Sequence, residues 1–534
     1  MTDLRSKLAG NQWAGPVALA LIHLILAALS FHQAPYTGGD DATYISLARS
    51  IIERGDYTDV WDPALPPHTQ YPPIFPLIVA GGLLMGLEPL EGLKILMLVI
   101  TTGAVLVSCV WLRRETTPGV AFCAGFFIAV SPEIIRLGQE VLSDITFWLF
   151  AILALLAWRH AEKASGEPMP VRLVALATAA TLAAYFTRSA GAPLLVAVVI
   201  WLAIRKQYRA IGIVAAMSAP LIFLWWLRGH AVGAGGYLAP FVAIDPYNPS
   251  LGTATLGDLA ERLVKNASSY GSRHLSRLVF GDLRSGLYFG AAFAVAMLYG
   301  WATRLRRPGL PEVWLPLYLA LVLLWPDAWS GARFLYPVVP VIALYVGLTI
   351  AHLAKLASHP RLFAGAILLA GVVTVYPGLK RQAKIGSACR ERFALGEKFV
   401  CTEPSFAAFF EIADKSRGML PKGSVVLSRK PTIFYAHSGY QSVLYPLFKV
   451  PDSLYALAER TRAQYLVIDQ ITDLAPKYLH PILAERHSDF CVLGPLLSDK
   501  AALARFDIKG PPYTPASLEK VSFRFCDGYN ANAQ

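Results

Sequence analysis

The chain has 534 residues, 55% of them apolar and 16% charged, with a mean hydropathy of +0.46. Soluble globular chains carry about 25% charged residues, so an ordinary soluble enzyme is excluded, and the aromatic content and long apolar runs exclude collagen, coiled coil and disorder. The net charge of +12, from 48 Lys and Arg against 36 Asp and Glu, fits either a nucleic-acid binder or basic residues distributed by membrane topology, and their positions decide which.

A short basic start with Arg5 and Lys7 precedes the apolar run Pro16–Phe31, which has no small-residue cleavage site after it and reads as an uncleaved first span. Ten further runs follow: Leu93–Leu112, Val120–Val130, Ile145–Trp158, Val171–Phe186, Ala190–Ile204, Ala210–Leu227, Gly286–Thr303, Val313–Trp325, Phe334–Leu353 and Leu362–Tyr376. A span needs about 20 residues, so the shorter runs extend into their flanks. Ile74–Gly86 starts after Pro72-Pro73, is short and Gly-rich, and reads as re-entrant or interfacial.

With Ile74–Gly86 not crossing, Arg113/Arg114, Arg159/Lys163/Arg172, Arg205/Lys206/Arg209, Arg304/Arg306/Arg307 and Lys355/Arg361 all fall on the side of Arg5 and Lys7. That is the positive-inside pattern, and nucleic acid is not needed to explain the charge. The expected fold is an α-helical polytopic membrane protein of about eleven spans, twelve or thirteen if shorter runs also cross, with the N-terminus inside. Residues 1–379 form the membrane part, with external loops over 32–73 and 228–285, and 380–534 form a C-terminal soluble α/β domain outside. In that tail Ser424–Ser428, Tyr465–Asp469 and Val521–Cys526 are strand-like, and Phe406–Lys415 and Ser453–Arg462 helix-like.

Cys109 and Cys123 lie in spans, whereas Cys389, Cys401, Cys491 and Cys526 lie in the tail. Four cysteines in an oxidising compartment predict two disulfides with three possible connectivities, of which we favour Cys389–Cys401 with Cys491–Cys526.

Asp40-Asp41 follows the first span directly, and Ile45, Leu47, Ala48, Ile51 and Ile52 continue at helical spacing, as in a helix lying along the interface. Adjacent carboxylates there must be solvated, paired, metal-bound or used as a helix N-cap. Glu140 and Asp144 share one helical face at another span edge, with Arg136 four residues before Glu140 as a competing partner. Lys94, Arg188 and Arg333 break the positive-inside trend, and isolated outer cations suit a lipid headgroup, a substrate phosphate, or snorkelling and loop ion pairs.

In this order these residues resemble the integral-membrane glycosyltransferases of the C superfamily, of the family 39 type: the dolichyl-phosphate-mannose protein mannosyltransferases and the bacterial aminoarabinose and galacturonic-acid transferases. The resemblance spans essentially the whole chain and is carried by Asp40-Asp41-x-x-Tyr44, Tyr71-Pro72-Pro73, Glu140-x-x-x-Asp144, Thr187-Arg188, Arg333 with Pro337 and Pro340, and the tail segment Val425–Pro446. It implies a polyprenyl-phosphate sugar donor, a lipid, glycan or protein acceptor, and inverting transfer with Asp40 as general base beside Asp41. It also implies donor-phosphate binding by Lys94, Arg188 and Arg333, with Tyr44, Tyr71, Glu140 and Asp144 shaping the site. The implied location is the outer face of a bacterial cytoplasmic membrane. Gln70 and Tyr71 stand where aminoarabinose transferases place an acidic residue and a lysine. No cofactor is certain; a divalent metal stays open, with the loop residue His68 as its one substitute ligand.

A transporter or flippase would show internal repeats and mid-span charges, and a lipid-linked oligosaccharide ligase would place long loops elsewhere. A scaffold leaves the charged span edges unexplained. The topology makes a direct prediction: a thiol reporter placed at Gly86 labels from outside in intact cells. Labelling from the cytoplasm alone means that Ile74–Gly86 crosses.

Overall fold

The computed structural model describes residues 13–164, 169–231, 238–281, 286–507, 516–518 and 521–527. Each of the eleven apolar runs forms a helix. In the first half these are α1 (Ala14–Ser30), α4 (Glu91–Glu115), α5 (Pro118–Ala129), α7 (Ser143–Lys163), α8 (Val171–Thr187), α9 (Ala192–Ile204) and α10 (Tyr208–Ala231). Between them lie α2 (Asp40–Arg49), α3 (Ile74–Leu84) and α6 (Pro132–Leu137). The external region adds α11 (Leu238–Val242), α12 (Leu256–Ser269) and α13 (Leu275–Phe280), and the bundle ends with α14 (Gly286–Arg304), α15 (Leu310–Leu324), α16 (Val339–Leu356) and α17 (Pro360–Ala394). Among the described residues, five helical segments are long and apolar enough to cross a membrane: Glu91–Glu115, Ser143–Lys163, Tyr208–His230, Ala332–Leu356 and Leu362–Ala394. Helix α3 has 11 residues and is capped by Met85, and the next residue, Gly86, takes the left-handed conformation (φ 83°). At 1.5 Å per residue it is about 16 Å long, half a hydrocarbon core.

The last apolar run does not stop at Lys380. Helix α17 continues unbroken for 35 residues to Ala394, and the Cys389–Cys401 disulfide ties its end to the domain that follows. That domain holds α18 (Pro404–Ser416), β1 (Val425–Ser428), α19 (Pro431–Ser438), β2 (Gln441–Leu444), α20 (Pro451–Thr461), β3 (Tyr465–Asp469), α21 (His480–Arg486), β4 (Phe490–Leu497), β5 (Ala501–Phe506), β6 (Ala516–Leu518) and β7 (Val521–Phe525). The sheet order is β2-β1-β3-β5-β4-β7-β6. Strands β1, β2 and β3 are parallel, and β5 runs antiparallel between β3 and β4. Apolar cores lie on both sheet faces, one built on Phe409, Phe410 and Val467 and the other on Leu454, Leu466 and Ile468. Cys491 and Cys526 form the second disulfide, joining β4 to the residue after β7.

Ion pairs gather the helix ends that carry the inner-side basic residues. Glu115, at the end of α4, binds Arg159 of α7 at 2.8 Å and Arg304 of α14 at 2.9 Å, and Arg304 also reaches Glu312 of α15 at 2.7 Å. Asp40, Lys94, Glu140, Asp144, Arg188 and Arg333 all sit at the opposite ends of these helices or in the turns joining them.

Helix α14 packs on α16 at very short range. A Cβ built on Gly300 would lie 2.1 Å from the Tyr345 carbonyl oxygen. Small residues allow such close helix approach in membranes. Gly300→Ala therefore forces the pair apart. We predict a loss of about 1–3 kcal/mol, as for overpacked cores, measured as a lowered melting temperature of the purified protein in detergent.

Candidate active site at one end of the bundle

The turn after α1 places the two aspartates. Gly39 sits at φ 91°, a left-handed conformation that favours glycine, and it is the N-cap of α2. Neither aspartate is the cap: both lie in the first turn, and the N-cap makes no side-chain hydrogen bond. Nor does α2 lie along a lipid surface. Residues Ala42 to Ala48 are all buried, enclosed by α3 and the tail helix α19.

Asp40 is turned to Arg333. Its Oδ2 accepts from the guanidinium at 2.7 Å, and its Oδ1 accepts from the Tyr71 hydroxyl at 3.4 Å. Arg333 also reaches the Tyr36 hydroxyl at 3.4 Å and lies over the Phe334 ring, 5.2 Å from its centroid. Burial alone would raise the Asp40 carboxyl; the charge and hydrogen bond of Arg333, with Arg188 and Lys430 beyond, hold it below the usual carboxylate range. Asp40 is thus kept ionised.

Asp41 behaves in the opposite way. Its Oδ1 is buried without a hydrogen-bond partner. Burial, with the negative charges of Glu140 and Asp40 adding to it, pushes its carboxyl up to about 7. Two neighbouring carboxylates thus titrate far apart, an arrangement typical of functional sites.

The remaining charges pair within the cluster. Lys94, only 2% exposed, binds Glu140 at 3.1 Å and donates to the Ala34 carbonyl at 2.7 Å. Arg188 binds Asp144 and the Ser143 hydroxyl, each at 3.0 Å, and lies over the Phe334 ring that Arg333 also uses. Tyr44 shares Ser143 through a 2.7 Å hydroxyl–hydroxyl contact and packs its ring on Tyr71, 4.8 Å between centroids. Arg136 pairs with Glu133 at 2.8 Å, which leaves Glu140 to Lys94. Of the residues expected from sequence, only His68 lies apart in its bonding. Its Nδ1 contacts Asp59 at 2.6 Å and its Nε2 accepts from the Tyr71 backbone at 2.9 Å, while its carbonyl accepts from Arg228. With both ring nitrogens engaged, His68 braces the loop that it lies in. Among the described residues no three His, Cys, Asp or Glu side chains converge to hold a metal ion. Asp40, Glu140 and Asp144 each face a cation already.

Lys430, at the end of the loop after β1, completes the cluster and was not singled out from sequence. Its ammonium donates to the Gly38 carbonyl at 2.7 Å, and the Thr432 hydroxyl reaches the Gly39 carbonyl at 3.4 Å. Burial lowers the Lys430 ammonium to about 8. A lysine in a basic tail carries no signal by itself; only the match of Val425–Pro446 to bacterial transferases pointed to this stretch. A groove of about 790 Å³ also opens between α5, α14, α16 and α17, lined by apolar side chains such as Phe127, Phe289, Ile342 and Leu368 and reaching Ser131 at its outer end.

The raised Asp41 carboxyl has a consequence for stability. In the unfolded chain it ionises near its ordinary value of 3.8, and in the folded protein only near 7. Folding stability is therefore lost as pH rises between about 4 and 7, and the loss is complete above 7. We predict that Asp41→Asn raises the melting temperature more at pH 8 than at pH 4.5. An equal effect at both would show that Asp41 ionises normally.

No protein-family profile and no curated relative matches the chain. Solved structures do. ArnT from Cupriavidus metallidurans, crystallised bound to undecaprenyl phosphate, superposes with a TM-score of 0.54 at 14% identity over 93% of this chain and 99% of that one. The Archaeoglobus fulgidus oligosaccharyltransferase in complex with Zn and sulfate gives 0.58 at 14% identity, over 92% of this chain and 73% of that one. The same organism's AglB, in complex with an inhibitory peptide and a dolichol-phosphate, gives 0.56 at 13% identity, over 89% and 72%. At such identities the likeness is one of fold: this chain is a polytopic membrane protein that shares the fold of these structures, with a C-terminal soluble α/β domain.

Proposed function

We propose that the protein is a membrane glycosyltransferase that moves a sugar from a polyprenyl-phosphate donor to a hydroxyl of a lipid, glycan or protein acceptor. The observation that carries this reading is an ionised carboxylate, Asp40, held at the outer end of the bundle against Arg333 with Arg188 and Lys430 nearby. A base beside several cations suits a reaction that removes a proton and expels a phosphate. Two of the similar structures were solved with undecaprenyl phosphate or dolichol-phosphate, which supports a lipid-linked donor. The apolar groove offers a place for such a chain.

In this reading Arg333, Lys94 and Arg188 receive the donor phosphate. Arg333 turns from Asp40 toward the phosphate, which raises the basicity of Asp40 as the acceptor arrives. Asp40 takes the acceptor proton. The acceptor oxygen forms a bond to the anomeric carbon while the bond from that carbon to the phosphate oxygen breaks. The phosphate leaves with the electron pair, and the configuration inverts. General-base assistance of this kind contributes about 10²–10⁴-fold. Asp41 stands beside Asp40 at the reacting centre, Glu140 holds Lys94 and Asp144 holds Arg188 in place, and Tyr44 and Tyr71 wall the site. The cellular setting we propose is the outer face of a bacterial inner membrane, with the α/β domain in the periplasm.

Asp40→Asn, which keeps shape and removes the charge, is expected to abolish transfer from a polyprenyl-phosphate sugar while expression and melting temperature hold. Full turnover in that variant would reject the assignment. Lys94→Ala and Arg333→Ala are each expected to raise the donor concentration needed for half-maximal rate; an unchanged donor dependence in both rejects phosphate binding. Mass spectrometry of envelope glycolipids and glycoproteins from a deletion strain identifies the sugar and the acceptor.

A further inference from the structure

The α/β domain carries a second cluster of polar groups, which shares Lys430 with the site above and otherwise plays no part in the mechanism. With strand order β2-β1-β3, the chain passes from β1 to β2 on one side and returns to β3 on the other. The carboxyl ends of β1 and β3 flank that reversal, the place where open α/β sheets leave a ligand crevice. Arg429 and Lys430 follow β1, Tyr445 follows β2, and Asp469 ends β3.

These groups converge without satisfying one another. Asp469 is fully buried; its Oδ1 accepts the Ile471 backbone N–H at 3.1 Å, and its Oδ2 has no partner. The buried Tyr445 hydroxyl has none either. Burial pushes the Asp469 carboxyl up to about 6, and Arg429 and Lys430 draw it back from a distance, yet among the described residues no ion pair forms between them. Tyr445 lies close enough to Asp469 and Arg429 to feel their charges, and buried polar atoms left unmatched are costly enough to call for a partner. The membrane part supplies the roof. Arg429 lies 5.3 Å from the centre of the Tyr247 ring, and Tyr247 meets Trp329 edge-on at 6.0 Å. The Tyr478 hydroxyl, 2.8 Å from the Tyr247 carbonyl, fastens this roof to the domain.

We infer that this crevice binds a phosphorylated sugar or polyol: Arg429 and Lys430 take the phosphate, Asp469 and Tyr445 the hydroxyls, and Tyr247 with Trp329 the apolar face of the ring. Lys430 also holds the Gly38 carbonyl, two residues before Asp40, so a ligand seated here lies beside the reacting end of the bundle. That this ligand is the acceptor rests on the transferase reading; that the crevice binds it does not.

The test uses the full chain purified in detergent, with glucose 1-phosphate as probe and glucose and inorganic phosphate as comparisons. Binding is followed by calorimetry and by tryptophan fluorescence. Glucose 1-phosphate is expected to bind at least tenfold more tightly than either comparison. Tyr445→Phe, which removes one oxygen, and Asp469→Asn are each expected to weaken it about tenfold, the scale of one hydrogen bond, with unchanged melting temperature. Asp40→Asn is expected to leave this binding unchanged. Competition by nanodiscs containing phosphatidylinositol, and not by phosphatidylcholine, supports the site and gives the ligand as a lipid headgroup; no competition supports it with a soluble ligand. Binding that is absent, or equal in Tyr445→Phe and Asp469→Asn, overturns the inference and means that water fills the crevice. Loss of binding in Asp40→Asn overturns it too, by moving the ligand into the bundle, while the transferase reading stands. Turnover that survives in Asp40→Asn rejects that reading and leaves the crevice intact.

Discussion

The contact between Asp40 and Arg333 organises one end of the helical bundle. It joins residues 293 positions apart and closes the ring of outer turns. Arg333 is the second residue of the short 3-10 segment Ala332–Val338 that leads into α16, and Asp40 starts α2. Each side chain is about a quarter exposed, so the pair remains open to a ligand. A pair so placed gains less from mutual attraction than a dry one, and it can be exchanged for a phosphate without leaving a charge stranded. Deeper in, Lys94 and Glu140 are buried almost completely. Removing one partner of such a pair typically costs about 3–5 kcal/mol, because the other is left uncompensated. The site thus has a rigid inner layer of paired charges and a looser outer contact.

The same rule explains why the carboxylates come in the order they do. Glu133, Glu140 and Asp144 lie on or beside α6 and the start of α7, and each meets a cation from another element: Arg277 for Glu133, which also pairs with Arg136 of its own helix, Lys94 for Glu140 and Arg188 for Asp144. Helices that would otherwise share only apolar contacts are fixed in register by these pairs. Between apolar helices in a bilayer there is little hydrophobic driving force, so packing of small residues and polar contacts must specify the arrangement. Gly300 against Tyr345 supplies the first and the outer ion pairs the second.

The positions of the charged residues were legible because charge at the edge of an apolar run is costly and therefore rarely idle. Asp40, Asp41, Glu140, Asp144, Lys94, Arg188 and Arg333 all stood out on that ground. Their partners did not. Arg136 at helical spacing looked like the match for Glu140, but α6 ends at Leu137, so the two do not share one helix, and Glu133 is the nearer carboxylate. The Asp40-Asp41 pair before a periodic stretch has the form of an N-cap, and only the left-handed Gly39 shows that the cap lies one residue earlier. In the tail, β1, β3 and β7 were visible as short β-branched and aromatic runs. Strand β4 was not, because Gly494-Pro495 interrupts it at a register shift. Strand β5 reads Ala-Ala-Leu-Ala-Arg-Phe, a helix-favouring composition that pairing on both sides overrides.

The α/β domain is part of the site architecture and not an appendage. The chain enters it through α17, which carries the Arg390 guanidinium back to the Phe31 carbonyl at the end of α1. The Cys389–Cys401 disulfide then fixes where the domain begins. From there Lys430 and Thr432 return to the Gly38–Gly39 turn, and the Ser442 backbone N–H bonds the Trp61 carbonyl. The external loop that carries Asp40 is therefore held between the bundle on one side and the domain on the other. Helix α2, with an apolar face and two acidic residues in its first turn, would have no reason to stay buried if either body were absent. Its burial, and with it the direction in which Asp40 points, is a property of the two bodies together.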